Sequence, residues 1–205
     1  MTTERLDLGG RKIVVLAPHP DDESIWCGGL LLKYRPDVVV LTDGRHGGED
    51  GCVEETIRIR HKELAVAMRL AGVTSYCELG IEDGRLAEAD FCKIARKVKL
   101  DDYDVIICPA PHDGHPDHAC TWRLLKPFAR GDQEVYFHDG WSALAEPTHY
   151  LDISDVVEGK KALVRVYASQ EAYVRYSERV AALNYYRGLL AYPAVEYAEA
   201  YARIQ

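Results

Sequence analysis

Three short runs of aliphatic residues, KIVVLA (12–17), DVVVLT (37–42) and VIIC (105–108), constrain this chain more than any other feature. None alternates apolar with polar, so each reads as a strand covered on both faces, as in parallel sheets sandwiched between helices. Segments of helical period separate them. Residues 24–34 read as a first helix. Ile57, Leu64, Met68 and Ala71 share one face of a long second helix that Gly72 ends, and 87–97 form a third. Weaker strands are expected at 75–79, 135–137 and 150–153. This alternation with short connections predicts an α/β protein, a three-layer α/β/α sandwich with a mostly parallel sheet. From 154 to 192 the pattern is almost continuously helical, so the sandwich ends in a helical C-terminal segment. Eight of the thirteen tyrosines lie after position 166. They read as half-buried edges of packed helices rather than as a sugar-binding wall or a subunit interface.

With 205 residues and no Pro/Ser-rich or low-complexity linker, one domain over 1–205 is expected. The chain carries 33 acidic against 25 basic residues, a formal charge of −8, which disfavours a nucleic-acid partner. The basic clusters Arg58/Arg60/Lys62 and Lys93/Arg96/Lys97/Lys99 fall at helical spacing and read as solvated helix faces. No apolar run approaches the roughly 18–20 residues of a membrane span, and the polar N-terminus does not read as a signal peptide. Cysteines 27, 52, 77, 92, 108 and 120 form no C-x-x-C pair. They read as reduced core thiols of a cytoplasmic protein.

Two segments carry chemistry. Ala17-Pro18-His19-Pro20-Asp21-Asp22-Glu23 follows the first strand, and Pro109-Ala110-Pro111-His112-Asp113-Gly114-His115-Pro116-Asp117-His118 follows the VIIC strand. In open, Rossmann-like sheets, ligands bind outside the carboxyl ends of the strands where strand order reverses, so both segments are expected at one pocket. Pro116 suits the first position of a helix, which makes His115 its cap and His118 a first-turn neighbour. Two imidazoles and one carboxylate form a catalytic-type zinc set with an open position. His19, Asp22, His115 and His118 can contribute to it, and Asp21 is placed to accept a proton from water. Single histidines and an Asp-Asp pair at a helix start have ordinary structural uses. The concentration of histidines and aspartates at two strand ends is what points to a metal.

PHPDDE followed by Gly28-Gly29, together with HPDH, resembles the LmbE/PIG-L family of metal-dependent de-N-acetylases. VVVLTDG (38–44), Arg60 with Glu63-Leu64, Asp83-Gly84, DISDVVEGKKALVRVYASQ (152–170) and YAEAY (197–201) are similar to further blocks of that family. The resemblance implies that His19, Asp22 and His118 are metal ligands for Zn2+, with Fe2+ an alternative, and that Asp21 is the general base. It implies that His115 stabilises the oxyanion or acts as acid, that Asp117 orients it, and that Arg60 and Asp83 hold sugar hydroxyls. Asp113 stands where some members have a tyrosine. GRHGGEDG (44–51) belongs to this chain alone, and its His46 reads as part of a flexible surface loop rather than of the pocket.

The implied function is zinc-dependent removal of acetate from an N-acetylglucosamine-type amino sugar or a small soluble conjugate, in a homo-oligomer by family analogy. Another amide, such as a thiol conjugate, is the alternative within the same chemistry. A noncatalytic Rossmann-like metal- or sugar-binding protein is the alternative outside it. A dinucleotide site is disfavoured, because PHPDDE stands where a glycine-rich phosphate loop would have to be.

Overall fold

A computed structural model describes residues 3–48 and 52–204. Eight strands form one sheet: β1 (Glu4–Arg5), β2 (Ile13–Ala17), β3 (Asp37–Thr42), β4 (Tyr76–Ile81), β5 (Val105–Pro109), β6 (Glu134–His138), β7 (His149–Asp152) and β8 (Ala198–Ile204). Their order is β1-β7-β8-β6-β5-β2-β3-β4. β8 runs antiparallel to both β6 and β7, and every other pairing is parallel. The helices are α1 (Asp22–Tyr34), α2 (Val53–Ala71), α3 (Phe91–Val98), α4 (Pro116–Leu125), α5 (Val157–Val166), α6 (Ala168–Val174) and α7 (Tyr176–Leu190).

The apolar runs are two-sided, as their lack of polar alternation predicts. Ile13, Val15 and Ala17 of β2 join Val38 and Val40 of β3 and Val105 and Ile107 of β5 in a core against α1, α2 and α5. Val14 and Leu16, Val39 and Leu41, and Ile106 and Cys108 point the other way, into a second core with residues of α3 and α4. The period-2 alternation of side chains thus feeds two cores from one strand.

The segment 154–192 differs from its expected continuity. Tyr167 interrupts it between α5 and α6, and Arg175, at φ 48°, interrupts it between α6 and α7. A seven-residue strand then follows at β8, where the sequence pattern predicts none. The tyrosines divide as well: Tyr167 and Tyr201 are fully buried, while Tyr185, Tyr186 and Tyr192 are exposed. The cysteines depart from the core-thiol expectation. Only Cys27 and Cys108 are buried, and Cys52 and Cys92 are exposed.

Helix α1 carries the first motif and is bent at Cys27, whose φ of −122° lies outside helical values. The backbone N–H groups of Gly29 and Leu30, just past the bend, donate to the Glu199 carboxylate at 2.7 and 3.0 Å. Lys160 Nζ meets the same carboxylate at 2.7 Å, and the Tyr201 hydroxyl donates to it at 2.8 Å. A Cβ on Gly29 would lie 2.3 Å from Ile153 Cγ2, so glycine is the residue that lets α1 approach β7 and β8 this closely. The two C-terminal sequence blocks therefore meet at the bent helix.

Candidate active site

The chain leaves β2 toward β3 on one side and returns to β5 on the other, so strand order reverses between β2 and β5. The loops after these two strands carry the two motifs, and they do meet. The ring centroids of His19, His115 and His118 lie 4.6–5.4 Å apart. Asp22 Oδ2 stands between two of them, 3.1 Å from His19 Nδ1 and 3.0 Å from His118 Nε2.

α4 starts as its sequence predicts. Pro116 occupies the first turn, and His115 Nδ1 accepts the Asp117 backbone N–H at 3.3 Å. That bond leaves the neutral ring's proton on Nε2. His118, one turn on, is completely buried, and neither ring nitrogen has an aligned hydrogen bond. Nδ1 lies 3.6 Å from Asp113 Oδ1. Asp113 is itself anchored by the N–H groups of His115 (2.8 Å) and Ser142 (3.3 Å). A Cβ on Gly140 would fall 2.0 Å from Asp113 Oδ2, so the carboxylate under His118 requires glycine there.

Asp21 has φ 137°, a conformation that L-residues rarely adopt and that is concentrated at functional sites. Its N–H donates to Glu23 Oε2 at 3.1 Å. Glu23 is held in turn by the Ser24 and Tyr167 hydroxyls. Sequence reasoning missed Glu23 and Tyr167 as parts of this unit, because 144 positions separate them.

Arg60 is the largest departure from expectation. It is 4% exposed, not part of a solvated face; both Nη atoms of its guanidinium are already engaged, and its buried Nε has no partner. Nη2 lies 2.9 Å from Asp21 Oδ2 and also donates to the Pro20 carbonyl, while Nη1 donates to the Gly44 carbonyl at 3.3 Å. Asp83 Oδ1 is likewise engaged, 3.0 Å from His19 Nε2, while its Oδ2 accepts the His46 N–H. The Asp117 carboxylate turns away from the ring it was expected to orient. It lies 3.3 Å from His19 Nε2 and accepts the Gly84 N–H at 2.8 Å, so it is the backbone N–H of Asp117 that meets His115. His46, expected on a surface loop, lines the cavity; residues 49–51 of that loop lie outside the described residues.

The electrostatics show an excess of negative charge. Asp21, Asp22, Asp83, Asp113 and Asp117 are all buried, with Arg60 among them. Burial alone would lower the His118 pKa, but Asp22 and Asp113 outweigh it and raise it to about 9. His19 rises well above its ordinary range in the same way, against burial, through Asp117, Asp22 and Asp83. Burial pushes Asp21 up to about 7, against the pull of Arg60. The cluster draws positive charge, and a divalent cation answers that need with the donor set present. Ring nitrogens of His19, His115 and His118 lie within 4.8 Å of one another. Donor atoms of His19, Asp83 and Asp117 form a second such set. The orphaned Nε2 of His118, on the Asp22 side of the ring, is what a metal would satisfy, with Nδ1–H turned to Asp113.

A buried imidazole–carboxylate set at the switch point of a doubly covered sheet makes this an α/β protein with the donors of a metal-binding enzyme. Residues 14–129 match the family described as "PIG-L: GlcNAc-PI de-N-acetylase". A diacetylchitobiose deacetylase of Thermococcus kodakarensis is 30% identical over 190 residues, covering 78% of this chain and 70% of its own. A probable N-acetyl-alpha-D-glucosaminyl L-malate deacetylase 2 of Bacillus cereus is 29% identical over 184 residues, covering 78% and 84%. The conserved protein TT1542 of Thermus thermophilus superimposes with a TM-score of 0.81 at 28% identity, over 95% of both chains. The chain belongs to the PIG-L family, and so to the deacetylases among the amide hydrolases. Among the described residues, no helix is long and apolar enough to cross a membrane.

Proposed function

We propose that this chain is a zinc-dependent de-N-acetylase of an N-acetylglucosamine-type sugar or a small conjugate of one. The observation that carries this reading is the placement of Asp22 Oδ2 between His19 Nδ1 and His118 Nε2, with Asp21 next in sequence at the same cavity. His19, Asp22 and His118 would hold the ion. Fe2+ suits the same imidazole and carboxylate donors. The two relatives, named for diacetylchitobiose and for an N-acetylglucosaminyl malate, have the N-acetylglucosamine unit in common.

When bound, the ion supplies Lewis acidity that polarises an amide carbonyl and acidifies water. Asp21 takes the proton from the attacking water. Its raised pKa suits that exchange, and Arg60 keeps the carboxylate from being neutralised outright. His115 lines the cavity and presents the Nε2 proton to the oxygen that gains charge in the tetrahedral intermediate. Carbon–nitrogen cleavage then releases acetate, with one proton returned to the amine. Asp113 fixes His118 from behind, and Asp83 and Asp117 fix His19.

The test is metal content together with acetate release from N-acetylglucosamine and its conjugates, on tag-free protein beside His19→Ala. About one zinc or iron per chain, lost in the variant along with acetate release, is the expected result. Protein that neither contains nor takes up metal, and releases no acetate, overturns the reading.

A further inference from the structure

The cavity over the histidines and aspartates encloses about 230 Å³. That is below the ~300–1,000 Å³ of sites that enclose a drug-sized ligand. On the reading above, the acetamido sugar occupies this space, and whatever it is linked to lies across the rim. Floor and rim differ in chemistry. His19, Asp21, Asp22 and Asp83 form a buried polar floor. At the rim stand Trp141, 58% exposed, and Tyr176, partly exposed. Their rings meet edge to face, with centroids 6.2 Å apart and planes at 90°. This contact ties the segment after β6 to the start of α7 and leaves most of the indole in water. A water-facing indole beside a sugar-sized cavity is a stacking surface for the C–H face of a pyranose.

The charges at the cavity narrow the choice further. Among the described lining residues Arg60 is the one permanent cation; Asp21 and two backbone carbonyls hold its Nη atoms, and its Nε, which has no partner, is buried. Asp21, Asp22 and Asp83 line the same space. Arg179, one turn past Tyr176, is exposed and outside the lining. A carboxylate or phosphate attached to the amino sugar therefore meets aromatic faces and, among the described lining residues, no exposed permanent cation. A second neutral ring meets a surface that fits it.

We infer that Trp141 and Tyr176 form a subsite for a second, uncharged sugar ring, so that the substrate is a neutral N-acetylated disaccharide or longer glycan rather than an anionic conjugate. This rests on the deacetylase reading, and the experiment separates the two. Acetate release is measured from N-acetylglucosamine, N,N'-diacetylchitobiose and N-acetylglucosaminyl malate, with wild type and Trp141→Ala. The disaccharide is expected to exceed both others in kcat/KM by about tenfold, the scale of one aromatic contact. Trp141→Ala is expected to remove most of that advantage through KM, with a smaller loss on the monosaccharide. Its side chain is mostly in solvent, so folding should survive, and circular dichroism checks this. Turnover of the monosaccharide with no gain for the disaccharide overturns the subsite alone. So does a preference for the malate conjugate, which would direct attention to Arg179. Absence of acetate from all three substrates overturns the deacetylase reading and the subsite with it.

Discussion

Helix α1 has buried charge at both ends of its bend, and the two clusters are built differently. Past the bend, Glu199 is matched group for group: Lys160 neutralises it, and Tyr201, Gly29 and Leu30 supply hydrogen bonds. At the N-terminal end, Asp21, Asp22, Asp83, Asp113 and Asp117 surround Arg60 and two imidazoles, and His118 keeps both ring nitrogens without an aligned partner. A buried pair survives when its geometry is excellent and its remaining valences are filled. An unbalanced cluster at a strand switch point has no such account in the protein's own groups. The difference teaches where to look for function: closure marks structure, and uncompensated charge marks a ligand site.

The comparison breaks most completely at His118. His118→Ala is expected to abolish acetate release and metal uptake while the chain stays folded, because His118 belongs to neither apolar core. Added zinc should raise the thermal midpoint of the wild type, by about 2.7 kcal/mol of stability at a hundredfold excess over Kd, and should leave the variant unmoved. Metal retained with full turnover would remove His118 from the ligand set. Asp21→Asn is the next largest effect. It should lower kcat by about 10²–10⁴-fold, the worth of a general base, with metal content unchanged. Loss of metal along with activity would make Asp21 a ligand instead of a base.

These assignments were legible to different depths. The buried strands β2, β3 and β5 and the capped start of α4 follow from local patterns, since apolar runs and a Pro at the first helical position act over a few residues. The meeting of His19, Asp22 and His118 was legible because strand order reverses between the strands that carry them. The partners of Arg60, Asp83 and Asp117 were not. Each is a charged side chain that reads as surface or substrate contact alone, and only the tertiary fold sets a carboxylate or imidazole against it. β8 escaped for a related reason. AEAYARI has three alanines and no run of β-branched residues to mark it as a strand, and its place between β6 and β7 is a long-range, antiparallel pairing.

On the closed side, Glu199→Ala is expected to destabilise the fold by about 3–5 kcal/mol. It strands Lys160 Nζ in the core and frees two N–H groups at the bend. The double variant Lys160→Met/Glu199→Leu should cost much less than the single one, since it leaves no unpaired charge. Urea unfolding of the three proteins checks both. A double variant as unstable as Glu199→Ala would show that the hydrogen bonds to Gly29 and Leu30, more than the ion pair, hold the bent helix.

The smallest effect tests whether the two sides communicate. Tyr167, between α5 and α6 on the closed side, sends its hydroxyl to Glu23, which accepts the N–H of Asp21. Asp21 has positive φ, at a cost of about 1–3 kcal/mol that its surroundings must offset. Tyr167→Phe removes one hydrogen bond of about 1 kcal/mol and leaves Glu23 with Ser24 and the Asp21 amide. If that chain positions the base, kcat should fall by about fivefold, with KM and metal content unchanged. The base would sample geometries from which it cannot reach the water. A drop in thermal midpoint with kcat intact would instead confine Tyr167 to packing. The strain at Asp21 would then be held by Arg60 and by its own carbonyl, which accepts the N–H groups of Ser24 and Ile25 in the first turn of α1.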